Sequence, residues 1–311
     1  MLIFLDFSKA FDLVNHEILL SKMKCYNFHE SSISWFTSYL ESRTQKVCLG
    51  NISSTPEIIS KGVPQGSVLG PLLFLLFIND LPLVTEHSET DLFADDATLR
   101  ASASTPHLIE DKLQSDLNKV KTWCETNEMN LNVNKTKCML LGTSQKLSRL
   151  PKRTLDLDLN GVRVENVNEH KVLGVYLDPS LQWEEQINHV FGSINAKLSL
   201  LSKIKKYLPK ETRILYFNAY ILPLFDYCLT LWGNCSEQNA NRISKLQKKA
   251  ARIILDKPFD SPSEPLFREL HWLDFKTRIK FSKSILVYKC MNQWAPSSSG
   301  SFSSTIIRLQ S

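Results

Sequence analysis

No Cys-x-x-Cys pair occurs in the 311 residues, and the seven cysteines, at positions 25, 48, 124, 138, 228, 235 and 290, are odd in number and scattered. That spacing argues against a disulfide framework and a structural zinc site, and favours a reducing, intracellular setting in nucleus or cytoplasm. Long apolar runs are missing too. The longest, residues 68–78, has 11 residues and includes Gly70 and Pro71, whereas a membrane-spanning helix needs about 20. The opening Met1-Leu2-Ile3-Phe4-Leu5-Asp6 lacks a basic lead and meets a carboxylate early, so it does not read as a secretory signal. With 10 Gly and 13 Pro, and neither internal repeats nor low-complexity blocks, a fibrous or mostly disordered chain is excluded.

What is present is a globular composition, 43% hydrophobic and 22% charged, long enough for one large or two ordinary domains. Charge is distributed unevenly. Residues 1–100 carry seven Lys/Arg against twelve Asp/Glu, and the remainder thirty against twenty. An acidic first part and a basic second part suit a metal-dependent site followed by a polyanion-binding region; ordinary solvated helix faces would give the same asymmetry.

The hydrophobic pattern predicts a buried strand over residues 1–7, ending at Asp6-Phe7. A helix capped by Asn15 and another capped by Ser31 or Ser32 follow. Residues 45–49 and 57–63 alternate as strands, residues 67–81 read as an apolar helix, and residues 90–100 as a hairpin around Ala94-Asp95-Asp96. A long amphipathic helix is expected at 105–127, then strands near 131–141, 155–165 and 171–177, the middle pair turning at Asn160-Gly161. From Trp183 the pattern is helical, over roughly 183–207, 210–232, 237–256 and 274–293, and the serine-rich 297–301 should fray. The expected class is α+β, a mixed unit over 1–180 and a helical one over 181–311.

Chemistry concentrates in carboxylates. Asp6 ends a rigid strand and Asp95-Asp96 sit in a tight turn; if those strands are neighbours, three carboxylates crowd one sheet edge. Like charges so close would hold protons unless cations neutralise them, and hard oxygen donors of this kind suit Mg²⁺. Taken alone, Asp-Asp in a hairpin is also ordinary turn chemistry.

The segments Leu5-Asp6-Phe7-Ser8-Lys9-Ala10-Phe11-Asp12, Gly62-Val63-Pro64-Gln65-Gly66-Ser67 and Phe93-Ala94-Asp95-Asp96 occur in this order. In order and spacing the sequence resembles reverse transcriptases of non-LTR, LINE-type retrotransposons of the Jockey-like group. The resemblance continues through residues 131–137, similar to the family's fourth palm motif, and residues 170–178, similar to its primer-grip segment. Less specifically, it extends into Leu222-Pro223-Leu224-Phe225-Asp226-Tyr227 and residues 246–252.

The resemblance implies a polymerase palm, with an antiparallel sheet and packed helices, followed by a helical thumb and C-terminal extension. It implies an RNA-directed DNA polymerase working through two Mg²⁺ or Mn²⁺ ions on an RNA template, a DNA primer and deoxynucleoside triphosphates. By position, Asp6 and Asp95 match the metal ligands with the Phe7 carbonyl as a further one, and Asp96 matches the companion carboxylate. Phe11 falls where a bulky ring gates against the ribonucleotide 2′-OH, unless it is a core aromatic. Gln65 and Gly66 match the loop lining the nascent base pair, and Lys135 the proposed general acid for departing pyrophosphate. Leu173 and Gly174 match the hairpin that steadies the primer end. Lys197, Lys203, Lys205, Lys206, Lys210, Lys245, Lys248, Lys249 and Arg252 are candidates for phosphate contacts, or for solvated helix faces.

Such polymerases carry a fingers region ahead of the first motif, which here begins at the sixth residue. The expectation is therefore a fragment, weak or inactive by itself and served by a separate fingers-containing chain. A catalytically silent nucleic-acid-binding remnant is the alternative; an unrelated Mg²⁺-dependent phosphohydrolase would leave the Gln65-Gly66 and Leu173-Gly174 matches unexplained.

Overall fold

The computed structural model describes residues 1–150 and 154–294, so the serine-rich 297–301 lies outside the described residues. The chain separates into two units, Met1–Asn168 and Glu169–Ser311. The division falls ahead of residue 180 because the hairpin of His170–Val172 and Val175–Leu177 packs with the helices that follow it. Val175 is buried in their core, and Gln186 Oε1 accepts the Tyr176 N–H at 3.0 Å.

In the first unit, the unbroken apolar strand Leu2–Leu5 lies in the middle of a five-stranded sheet, where both faces are covered. Its neighbours are Asp96–Arg100 and Lys137–Met139, with Glu89–Phe93 and Glu165–Asn166 at the edges. All pairings are antiparallel except that of Glu165–Asn166 with Lys137–Met139. Leu73, Phe74 and Phe77 of the helix Leu69–Ile78 share a core with Leu113, Leu117 and Val120 of Pro106–Thr126 and with Ile3 and Leu5 of the strand.

Caps explain where helices start. Asn15 Oδ1 accepts the N–H groups of Glu17 and Ile18, and Thr105 Oγ1 that of Leu108. The helix Glu30–Leu40 is capped by His29 and not by Ser31 or Ser32: extended His29 offers Nδ1 to the Ser31 N–H, which puts both serines inside the first turn. The two expected strands at 45–63 are four two-residue pieces, Thr44–Gln45 against Glu57–Ile58 and Cys48–Leu49 against Ile52–Ser53, all exposed. They form one interrupted hairpin, and the strand expected to reach Val63 stops because Gly62 turns the chain at φ 92°.

The second unit is helical apart from its opening hairpin. The helices Glu184–Ile204, Glu237–Leu255 and Phe275–Met291 pack around Trp232, Phe217, Phe225 and Phe275. The helix expected over 210–232 is broken. Pro223 has no N–H and its ring crowds the carbonyl four residues back; a π-helical turn, Phe217–Ile221, widens the backbone ahead of it, and Cys228 turns left-handed at φ 51°. A short helix, Ser263–Glu269, was not legible: it is under two turns and contains Pro265.

Candidate active site

Leu5 pairs with Ala97 across the central ladder, so the next residues outward, Asp6 and Asp96, oppose each other at the same sheet end. Cross-strand partners share a face. Phe93 pairs with Asp96, leaving Ala94 and Asp95 as a two-residue turn, with Ala94 left-handed at φ 52°. Asp95 and Asp96 are exposed and Asp6 half-buried. Among the described residues, no group of three or more His, Cys, Asp or Glu side chains gathers closely enough to hold a metal ion.

The segment after Asp6 is fastened to residues 130–136. Asp6 N–H donates to Thr136 Oγ1 (3.4 Å), the Asp6 carbonyl accepts the Asn132 N–H (2.8 Å), and Ser8 N–H donates to the Asn130 carbonyl (2.8 Å). Phe7 and Leu131 form a β-bridge between these contacts. Lys135 stands next to Thr136 on the same turn, exposed, its backbone N–H held by the Asn132 carbonyl at 3.2 Å.

Phe11 lies on the short 3-10 turn Ala10–Asp12 and stacks on Phe74, centroids 4.4 Å apart. The Gly62–Gln65 stretch is latched to the same turn. Val63 N–H donates to the Phe11 carbonyl (2.8 Å), and Gln65 Nε2 to Asp12 Oδ1 (2.7 Å). Gly66 adopts φ 81°, where L residues are strained, and a Cβ there would meet nothing within 4 Å. The glycine is needed for the chain's turn into the helix, and the space beside it is open.

The hairpin carrying Asp95 rests on a residue sequence reasoning missed. Fully buried Asp116 accepts the N–H groups of Glu86, His87 and Ser88 and the Ser88 hydroxyl, at 2.7–3.0 Å, which fixes the entry to Glu89–Phe93. Burial alone would raise its pKa; these hydrogen bonds outweigh that and hold the carboxyl below its usual range. A signal existed: Asp116 falls in the apolar stripe of Leu113, Leu117 and Val120. Also missed was Lys22, which bonds to Asp80 and the Phe77 carbonyl (2.7 Å each) and lies over the Phe77 and Trp123 rings.

In the second unit, Leu173 and Gly174 are both left-handed, φ 46° and 84°, and form the two-residue turn between Val172 and Val175. Tyr227 OH donates to the Leu173 carbonyl, and its ring lies 3.3 Å from where a Gly174 Cβ would be. Of the nine basic residues, several have internal roles. Lys205 pairs with Asp256 and Lys210 with Glu269, Lys249 donates to Asn195, and Arg252 makes two bonds to the Ser261 carbonyl. Lys197 and Lys206 lie over Tyr220 and Tyr207. Lys203, Lys245 and Lys248 are exposed and form no ion pair among the described residues.

An Asp-ended central strand beside an Asp-Asp hairpin is the arrangement found where the sequence matches a known family. Residues 1–177 match the reverse transcriptase (RNA-dependent DNA polymerase) family, and the chain belongs to it. It is 31% identical over 280 residues to a probable RNA-directed DNA polymerase from transposon BS of Drosophila melanogaster, covering 86% of this chain and 30% of that protein. Identity is 30% over 277 residues to the RNA-directed DNA polymerase from mobile element jockey of the same fly, with 86% and 30% covered. The probable polymerase from transposon X-element is 30% identical over 261 residues, covering 81% of this chain and 28% of that protein. The chain thus spans about 30% of the length of these relatives.

Proposed function

We propose that the chain is the palm and thumb of an RNA-directed DNA polymerase, extending a DNA primer on an RNA template from deoxynucleoside triphosphates. The first unit is the palm and the helical unit the thumb. The observation that carries this reading is the Leu5–Ala97 register, by which Asp6 comes opposite Asp96 with Asp95 in the adjoining turn.

The donor set suits Mg²⁺ or Mn²⁺, since it consists of carboxylate and carbonyl oxygens without thiolate or imidazole. The Asp6 carbonyl is already taken by Asn132, which makes the next one, of Phe7, the backbone donor. Asp6 and Asp95, with Asp96 beside them, would hold two divalent ions, which would supply charge stabilisation to the attacking and leaving oxygens of an in-line displacement. Braced by Phe74, the Phe11 ring blocks a ribose 2′-OH. Gln65 and the open side of Gly66 line the new base pair, and Lys135 donates a proton to departing pyrophosphate.

In the thumb, the Leu173-Gly174 turn steadies the primer end. The lysines without internal partners contact phosphates irrespective of sequence. Seven free cysteines, two of them buried, support an intracellular setting in nucleus or cytoplasm.

Primer extension on an RNA template with Mg²⁺ tests the reading. Family-type fingers fused ahead of Met1 should give extension that Asp95→Asn abolishes, with little or none from the unfused chain. No extension from any form would favour a silent nucleic-acid-binding remnant.

A further inference from the structure

We infer that the outer face of the helix Phe275–Met291 is a docking surface for an acidic amphipathic helix of a partner protein. The surface lies wholly within the second unit, and it stands whether or not the chain polymerises.

The helix carries two apolar stripes. Phe275 and Ile279 are buried in the core of the unit. Phe281, Ile285 and Tyr288, at i, i+4 and i+7, form the second stripe about 130° away round the axis at 3.6 residues per turn, and they are 55%, 39% and 56% exposed. Apolar residues all round a helix are the pattern of one covered on both sides. Three large side chains along one stripe two turns long have the spacing with which one helix receives another.

Charge selects the partner. The helix has five Lys/Arg residues and no Asp or Glu. Three of the five hold it in place: Lys276 pairs with Glu237, Arg278 with Asp226, and Lys283 donates to Asn234. Lys280 and Lys289 are exposed, form no ion pair among the described residues, and flank the stripe on either side. Carboxylates along the edges of an incoming helix would meet both.

Other occupants fit less well. Pairing with a second copy brings one cationic helix against another. Residues 295–311 contain one Arg and no Asp or Glu, so they offer the two lysines nothing. Two free cations are few for an anionic lipid surface, where clusters of about 4–8 are typical. Ile285 at the centre of the stripe gives a nucleic-acid base no ring to stack on, and the Trp294 ring stands at 82° to that of Tyr288.

The test is fluorescence anisotropy with the full chain and synthetic helical peptides that carry leucines at i, i+3, i+4 and i+7. One peptide fills its other positions with alanine and glutamate, a second with alanine and lysine, and a third scrambles the first. A twelve-residue oligouridylate and vesicles containing phosphatidylserine complete the probes. The chain should bind the glutamate peptide, more weakly as salt rises, and the scrambled one at least about tenfold less. Phe281→Ala and Tyr288→Ala, both at exposed positions, should keep the parent's thermal melt and each weaken the glutamate peptide about tenfold, or about 1.4 kcal/mol. Ile285→Gln repeats the test should either melt early. Lys280→Glu with Lys289→Glu should transfer the preference to the lysine peptide. No binding of the glutamate peptide, equal binding of the scrambled one, or binding unmoved by these substitutions would overturn the proposal. So would a loss confined to oligouridylate, to vesicles or to self-association in sedimentation, each of which names a different occupant.

Discussion

Asp116 shows how one buried carboxylate can position a site it never touches. Its four acceptor contacts hold residues 86–88, the lead into the strand that ends at the Asp95 turn. Asp116→Ala deprives three backbone N–H groups and the Ser88 hydroxyl of a buried, charged acceptor; with bonds to charged groups worth about 1.5–3 kcal/mol each and the freed donors partly open to water, the expected loss of stability is about 3 kcal/mol by urea titration. Because its folded pKa is lowered, this contribution is fully present above the ordinary carboxylate range and is lost as pH falls through the lower folded value.

Elements built on a strong local pattern were legible. The unbroken Leu2-Ile3-Phe4-Leu5 run, the Asn15 cap and the hairpin around Ala94-Asp95 each follow from residues adjacent in sequence. The segment 131–141 was not legible as it stands: only Lys137–Met139 is strand, because residues 132–136 turn to hold Asp6. That contact spans more than a hundred residues, and no local periodicity reports it. The 173–174 turn is an element whose stability and purpose pull apart. Leucine in a left-handed conformation costs about 1–2 kcal/mol, so Leu173→Gly should raise the melting temperature despite the lost side chain, which is 42% exposed. If that side chain steadies a primer end, extension by a fingers-fused protein should fall at the same time. Gly174→Ala, strained and directed at Tyr227, should lower stability.

For the whole molecule, the uneven charge seen in the sequence separates into fixed and available cations. Lys205, Lys210, Lys249 and Arg252 are held internally, which sequence could not reveal because each partner lies far along the chain or in a loop. Affinity for a primer-template duplex should therefore fall with salt, and each of Lys203→Gln, Lys245→Gln and Lys248→Gln should reduce the logarithmic slope by about 0.9. Lys205→Gln and Lys210→Gln should leave the slope unchanged. Equal effects from both sets would mean that the internal pairs open on binding.

The central claim is that Asp6 and Asp95, 89 positions apart, hold one metal centre. Iron-directed cleavage measures it most directly: Fe²⁺ replaces Mg²⁺ in the full chain with primer-template bound, and peroxide with ascorbate then cuts backbone beside the ion. The account predicts cuts clustered at residues 5–8 and 93–97, both sets suppressed by either Asp6→Asn or Asp95→Asn and by excess Mg²⁺. Cuts in only one of these segments, or cuts that neither substitution alters, would contradict it.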